Sequence, residues 1–231
     1  MQKSFSFDFK DKNHEAIIIA PDISTKPTFV LIHGATGSKE LIHPYADALL
    51  EKGIATLAFD QSGTGKDAVN LKRSSLQARV EESKYAIENF AAKEPLIVRG
   101  SSMGGEIAIR MTEFFPVKSL ILFCPAIYDE AAFGVTFGEG FSTIIAEPES
   151  WKKSAALDIL EKFTGKLLIV IGEEDEVIPP GVIALLDAHS SSVSKKEIFR
   201  IPGCPHKYQK WLAEHSDVLE KVEQKVVEFS L

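Results

Sequence analysis

The sequence predicts an α/β fold in which a mostly parallel central sheet lies under helices on both faces. Two patterns carry that expectation. Short, nearly continuous apolar runs of strand length recur along the chain, and stretches with one apolar face at helical spacing separate them. A third observation points to chemistry, because a G-x-S-x-G run stands between one apolar run and one amphipathic stretch.

The chain opens with Phe5, Phe7 and Phe9 alternating with Ser4, Ser6 and Asp8, the period of a half-buried strand. A second run over 15–20 follows the turn-like Asp11-Lys12-Asn13, so an antiparallel opening pair is expected. Buried strands are expected over 28–33, 54–60, 96–100, 119–123, 166–172 and 196–201, from their length and their flanking Gly, Pro or Asp. Between them, Leu41, Tyr45, Ala48 and Leu49 share a helical face, as do Leu76, Val80, Ser83, Ile87 and Phe90, and then Gly104, Ala108, Met111 and Phe115. Trp211, His215, Val218, Leu219, Val222, Val226 and Phe229 form one stripe, which predicts a single closing helix. The long connection over 126–164 holds several glycines and only short helical patches. It reads as an insertion, a lid, carried by one domain spanning 1–231.

With 231 residues, 45% of them hydrophobic, the chain can bury a sizeable core. A net charge of −7 without clustered Lys and Arg counts against a nucleic-acid partner. No stretch is apolar for long enough to span a bilayer, and the first residues lack the basic start and apolar run of a signal peptide. Cys124 and Cys204 stand far apart with no C-x-x-C spacing, so neither a disulfide framework nor a thiolate metal site is expected, and a reducing, cytoplasmic setting is. No H-E-x-x-H or tight His/carboxylate cluster suggests a metal. The helix-covered surfaces carry no spare apolar stripe from which to read an oligomeric state.

In Gly100-Ser101-Ser102-Met103-Gly104, a turn sharp enough to join a buried strand to a helix would strain the backbone of Ser102 and lift its hydroxyl above the sheet, with glycine fitting on either side. The helix that follows would aim the Met103 N–H at a developing oxyanion. A serine hydroxyl needs a general base. Of six histidines, His206 alone sits just past the last expected strand, in Pro202-Gly203-Cys204-Pro205-His206, on the sheet edge where Ser102 also lies. An acid must hold that imidazole in one tautomer, and Glu173, Glu174, Asp175 and Glu176 compete for the place. Asp175 is favoured by the order nucleophile, acid, histidine and by Gly172-x-x-Asp175 ahead of Val177-Ile178-Pro179, with Asp129 in reserve. The strand ending in His33-Gly34-Ala35 offers the Ala35 N–H as second oxyanion donor, while His33 itself reads as structural. Phe133, Phe137, Phe141 and Trp151 in the insertion are candidates for an apolar substrate wall, or for anchors of the insertion. Acidic residues outnumber Lys152, Lys153 and Lys162 there, which disfavours strongly anionic substrates.

Taken in order, His33-Gly34, Asp60-x-x-Gly63-x-Gly65, Gly100-x-Ser102-x-Gly104, Gly172-x-x-Asp175 and Gly203-x-x-His206 resemble the α/β-hydrolase superfamily over nearly the whole chain. The run from His33 to Lys39, with the modest insertion before the acid-bearing strand, is similar to small carboxylesterases, including those acting on cinnamoyl and feruloyl esters. The resemblance implies a serine hydrolase that cleaves the ester of a small or aromatic acyl group through an acyl-enzyme, with a small-molecule ester as partner and no cofactor. Two positions depart from the pattern: Lys66 follows the Asp60 turn, and Ala35 stands where such esterases often carry an aromatic. Both bear on the substrate.

Other readings compete. Peptidases and thioesterases use the same three groups, and the residues around them do not rank the three activities. Gly63-Thr64-Gly65-Lys66-Asp67-Ala68 matches a relaxed dinucleotide fingerprint, but residues 69–73 intervene before helical spacing begins near Ser74. A non-catalytic binding protein on the same fold is the remaining alternative.

Overall fold

The computed structural model describes residues 1–22 and 24–231. Its centre is one eight-stranded sheet of order β1-β2-β4-β3-β5-β6-β7-β8. Strands β1 (Gln2–Phe9) and β2 (Lys12–Ile19) form the antiparallel opening pair, and β2 runs antiparallel to β4 (Thr56–Phe59). From β4 onward every pairing is parallel, through β3 (Phe29–Ile32), β5 (Leu96–Ser101), β6 (Val117–Phe123), β7 (Lys166–Glu174) and β8 (Lys195–Pro205). The central strands are buried on both faces, which is why they read as continuous apolar runs rather than alternating ones.

The edge pair obeys the other rule. Phe7 is buried against Phe90 and Tyr85, while the serines beside it stay exposed, so one face of the hairpin is covered and the other is wet. The cover is α2 (Leu76–Phe90), whose N-cap Ser75 accepts a hydrogen bond from the Ala78 N–H at 3.1 Å. The remaining helices are α1 (His43–Leu50), α3 (Met103–Met111), α4 (Phe141–Ile145), α5 (Ala156–Lys162), α6 (Pro180–Ala188), α7 (Tyr208–Ala213) and α8 (Ser216–Ser230).

The single closing helix expected from the apolar stripe is two helices. His215 breaks it with non-helical backbone (φ −131°, ψ 71°), its Nδ1 bonded to the Trp211 carbonyl at 2.7 Å and its ring stacked on Trp211 at 3.7 Å. The apolar spacing continues across the break, so periodicity alone does not reveal it. Between β6 and β7 the chain forms two 3-10 turns, α4 and α5. Among the described residues no helix is long and apolar enough to cross a membrane.

Candidate active site

Ser102 sits between the end of β5 and the start of α3 with φ 50° and ψ −120°, a region that an L-residue adopts only under strain. Its flanking glycines answer a different need from the strain expected of them. A Cβ on Gly104 would lie 2.4 Å from the Ile32 carbonyl oxygen and 2.5 Å from that of His33, so the bare Cα lets α3 press against the end of β3. That approach brings the loop after β3 beside Ser102: a Cβ on Gly34 would stand 3.2 Å from Ser102 Cβ.

His206 follows the end of β8, and its Nε2 lies 3.1 Å from Ser102 Oγ. Its Nδ1 lies 2.8 Å from Asp175 Oδ2. Asp175 reaches this position because the Cys204 carbonyl crosses close over Gly172, where a Cβ would stand 2.0 Å from that oxygen. The carboxylate is almost wholly buried, at 1% exposure. Burial works to raise its pKa, but the His206 imidazole and the backbone N–H groups of Ile178 and Val177 outweigh that and hold it below the usual aspartate range. Of the competing acids, Glu173, Glu174 and Glu176 are exposed. Asp129, the reserve, caps a 3-10 turn by accepting from the Ala131 N–H and pairs with Lys153 at 3.3 Å, away from His206.

The pair is steadied from below. Tyr208, two residues past His206, shares hydrogen bonds of 2.8 Å with Ser101 and 2.9 Å with Arg99. Arg99 is wholly buried between the rings of Phe123 (4.0 Å) and Tyr45 (4.7 Å). Sequence reading missed this cation, because what buries it is contributed by rings from β6 and α1.

Cys124, Asp175 and His206 each present one atom within 4.8 Å of the others, close enough in spacing for a metal site. The chemistry of the three groups does not fit one: the imidazole and carboxylate already partner each other, and burial pushes the Cys124 thiol far above its usual pKa, away from the thiolate a metal needs. Burial likewise pushes the Cys204 thiol up to about 11, so neither cysteine is a thiolate nucleophile at neutral pH.

The loop carrying Ala35 is tied down by His33. Burial, with Arg79 and Lys39 nearby, lowers the His33 pKa to about 3, so the ring is neutral. One nitrogen meets the Gly34 carbonyl at 2.7 Å and the other accepts from the Gln61 N–H at 3.1 Å, an arrangement that puts the proton on Nδ1. Unfolding returns His33 to water, where its pKa is near 6.5. Between those two values the unfolded chain binds the extra proton, so stability contributed by the neutral ring is complete above pH 6.5 and falls as the pH drops toward 3. His33→Gln is expected to flatten that acid limb, by up to about 1.4 kcal/mol per pH unit, in urea melts recorded from about pH 4 to 7. An unchanged slope would remove the buried neutral imidazole from the account.

Around Ser102 lies a cleft of about 760 Å³. Ala35 and Met103 line it, as do Leu41, Tyr128, Phe141 and Ile145. Of the four aromatics expected to wall a pocket, the structure places only Phe141 there. Phe137 stands behind it, edge-on at 4.9 Å. Phe133 packs under Arg110 at 4.1 Å, and Trp151 packs against Gly181 of α6, so both are anchors. The anchoring has a polar partner in Glu106, buried in α3, whose carboxylate takes hydrogen bonds from Arg110 (2.8 Å), Ser154 (2.9 Å) and the Tyr128 N–H (3.3 Å). The acidic excess of the insertion does not reach the cleft: its charged lining is Lys207 and Lys210, beside His206. Lys66 faces elsewhere, paired with Glu15 at the rim of a separate polar cavity. The glycines of the relaxed dinucleotide pattern lead into a 3-10 run, Gly65–Arg73, and not into the start of a helix.

The chain has relatives among known proteins. Residues 23–148, more than half of the chain, match the family described as Hydrolase_4, serine aminopeptidase S33. The thermostable monoacylglycerol lipase of Bacillus sp. (strain H-257) is 24% identical over 206 residues, covering 77% of this chain and 81% of the lipase. Among solved structures, Est1E from Butyrivibrio proteoclasticus with bound ferulic acid superposes with a TM-score of 0.70 at 22% identity, over 97% of this chain and 99% of Est1E. A thioesterase domain from the curacin biosynthetic pathway superposes at 0.71 with 14% identity, over 99% of both chains.

Proposed function

For a chain that belongs to the serine aminopeptidase S33 family of hydrolases and has the α/β-hydrolase fold, we propose hydrolysis of a carboxylic ester through an acyl-enzyme on Ser102. The observation that carries this reading is the unbroken chain of hydrogen bonds from Ser102 Oγ through His206 to Asp175. His206 Nε2 takes the hydroxyl proton as Oγ attacks the carbonyl carbon, and Asp175 keeps the other ring proton on Nδ1 and stabilises the imidazolium that forms. The Ala35 and Met103 N–H groups receive the oxyanion; as the first residue of α3, Met103 has no acceptor inside its own helix. His206 then returns the proton to the leaving alcohol, and water attacks the acyl-enzyme by the same route in reverse.

The apolar side of the cleft, from Met103, Tyr128, Phe141 and Ile145, suits a small or aromatic acyl group. Three of these four, Tyr128, Phe141 and Ile145, belong to the segment 126–164, which Glu106 of α3 ties down through Ser154 and the Tyr128 N–H. An ester fits better than a peptide N-terminus. Recognition of an α-ammonium group needs an anionic partner, whereas the charged side chains lining the cleft beside His206 are Lys207 and Lys210. The two buried, unpaired cysteines favour a reducing, cytoplasmic setting.

The test compares p-nitrophenyl esters of acetate, butyrate and a cinnamate with aminoacyl p-nitroanilides. We expect kcat/KM for the best ester to exceed that for every aminoacyl anilide by about 100-fold or more, since the cleft leaves the ammonium unpaired. A preference for the anilides would replace esterase by aminopeptidase.

A further inference from the structure

Arg79 is an unusual residue for the interior of α2. It is wholly buried, and its guanidinium donates to carbonyl oxygens and a thioether rather than to a carboxylate. One nitrogen, Nη2, bonds to the carbonyls of Ala35 and Ser62 at 3.0 Å each, and Nη1 approaches the Met103 sulfur at 3.4 Å. The guanidinium lies over the Phe137 ring, 5.0 Å from its centroid. Burial lowers the pKa of Arg79 to about 10, so it stays charged at neutral pH.

Those partners come from both halves of the oxyanion site. The peptide that carries the Ala35 N–H is held on one side by His33, whose ring meets the Gly34 carbonyl. Arg79 holds the next carbonyl along, that of Ala35, and touches the side chain of Met103, whose N–H is the other donor. An oxyanion hole works by having its donors aimed before charge develops, so a clamp on both donor residues acts on the transition state more than on the bound ester. We propose that Arg79 is a positioning residue for catalysis, which fixes Ala35 and Met103 relative to one another and sets the geometry of the oxyanion hole. A lysine cannot replace it: a single ammonium on a flexible stem lacks the planar fork that spans two carbonyls and the sulfur at once. The inference rests on the esterase reading.

The experiment uses the full chain as Arg79→Lys and Arg79→Met, measured with one ester substrate and with a trifluoromethyl ketone of matching acyl group. The ketone adds Ser102 Oγ to its carbonyl carbon, and the former carbonyl oxygen becomes an anion in the hole. We expect kcat to fall about 10-fold for Arg79→Lys and about 100-fold for Arg79→Met, the order of loss that follows from a misplaced catalytic group. KM should stay within about threefold and the acid limb of the pH profile should stay in place, while ketone affinity weakens in proportion to kcat. If Arg79→Met fails to fold, Arg79→Lys is decisive. Wild-type kcat in Arg79→Lys, or a loss of kcat with ketone affinity retained, would overturn the proposal. If the wild-type protein turns over no ester and does not bind the ketone, the esterase reading itself fails, an outcome separate from either of these.

Discussion

Ser102→Ala is expected to lower ester turnover by about 10⁴-fold or more while leaving the fold intact, because in the proposed mechanism no other group forms the acyl-enzyme. The two cysteines are the natural substitutes for a lost hydroxyl, and both are buried thiols with raised pKa values. Alanine also removes nothing that the local backbone depends on. The strained turn at residue 102 is held by main-chain bonds, from its N–H to the Phe123 carbonyl at 2.9 Å and from the Gly105 and Ala126 N–H groups to its own carbonyl at 2.8 and 3.0 Å. Circular dichroism and the urea midpoint should therefore stay close to wild type while turnover disappears. A variant that retains wild-type turnover would remove Ser102 from the mechanism.

The second large effect belongs to the acid. Asp175→Asn keeps the shape of the side chain but gives up the charge that pairs with the imidazolium and the acceptor that fixes its tautomer, and a loss of kcat of about 10⁴-fold is expected. The Val177 and Ile178 N–H groups both donate to Oδ1, so the amide can be accommodated by presenting its own oxygen to them. Its NH₂ group then faces His206 Nδ1 and selects the tautomer with Nε2 protonated, which cannot accept the Ser102 proton. Asp129→Asn is the control, since that carboxylate serves a 3-10 turn and Lys153, and it should change kcat less than about twofold. Steady-state kinetics of the two variants side by side decide between the acids.

Much of this arrangement was legible because burial and strand geometry leave a mark in composition. The middles of strands β3 to β7 are mostly apolar for the reason that both faces are covered there, and Phe5, Phe7 and Phe9 alternate because one face of β1 is not. Ser102, Asp175 and His206 were legible because each follows a strand whose end marks the same edge of the sheet. What stayed hidden depends on partners distant in sequence. Nothing near Arg79 or Arg99 in sequence announces their roles, because Phe137, Phe123 and Tyr45 come over them from elsewhere in the chain. The four aromatics of 126–164 look alike in sequence, and only the packing of α3 and α6 decides that Phe133 and Trp151 anchor while Phe141 faces the cleft. The acidic character of that segment does not carry over to the cleft for the same reason: average charge does not say which side chains point at Ser102.

A fluorophosphonate followed by peptide mass spectrometry tests the central assignment most directly, since the reagent is attacked by the same oxygen that the proposal has attacking an ester. A single adduct on the peptide carrying Ser102, lost in His206→Ala as well as in Ser102→Ala, is the predicted result. An adduct on another residue, or ester turnover that persists while no serine is labelled, would contradict it.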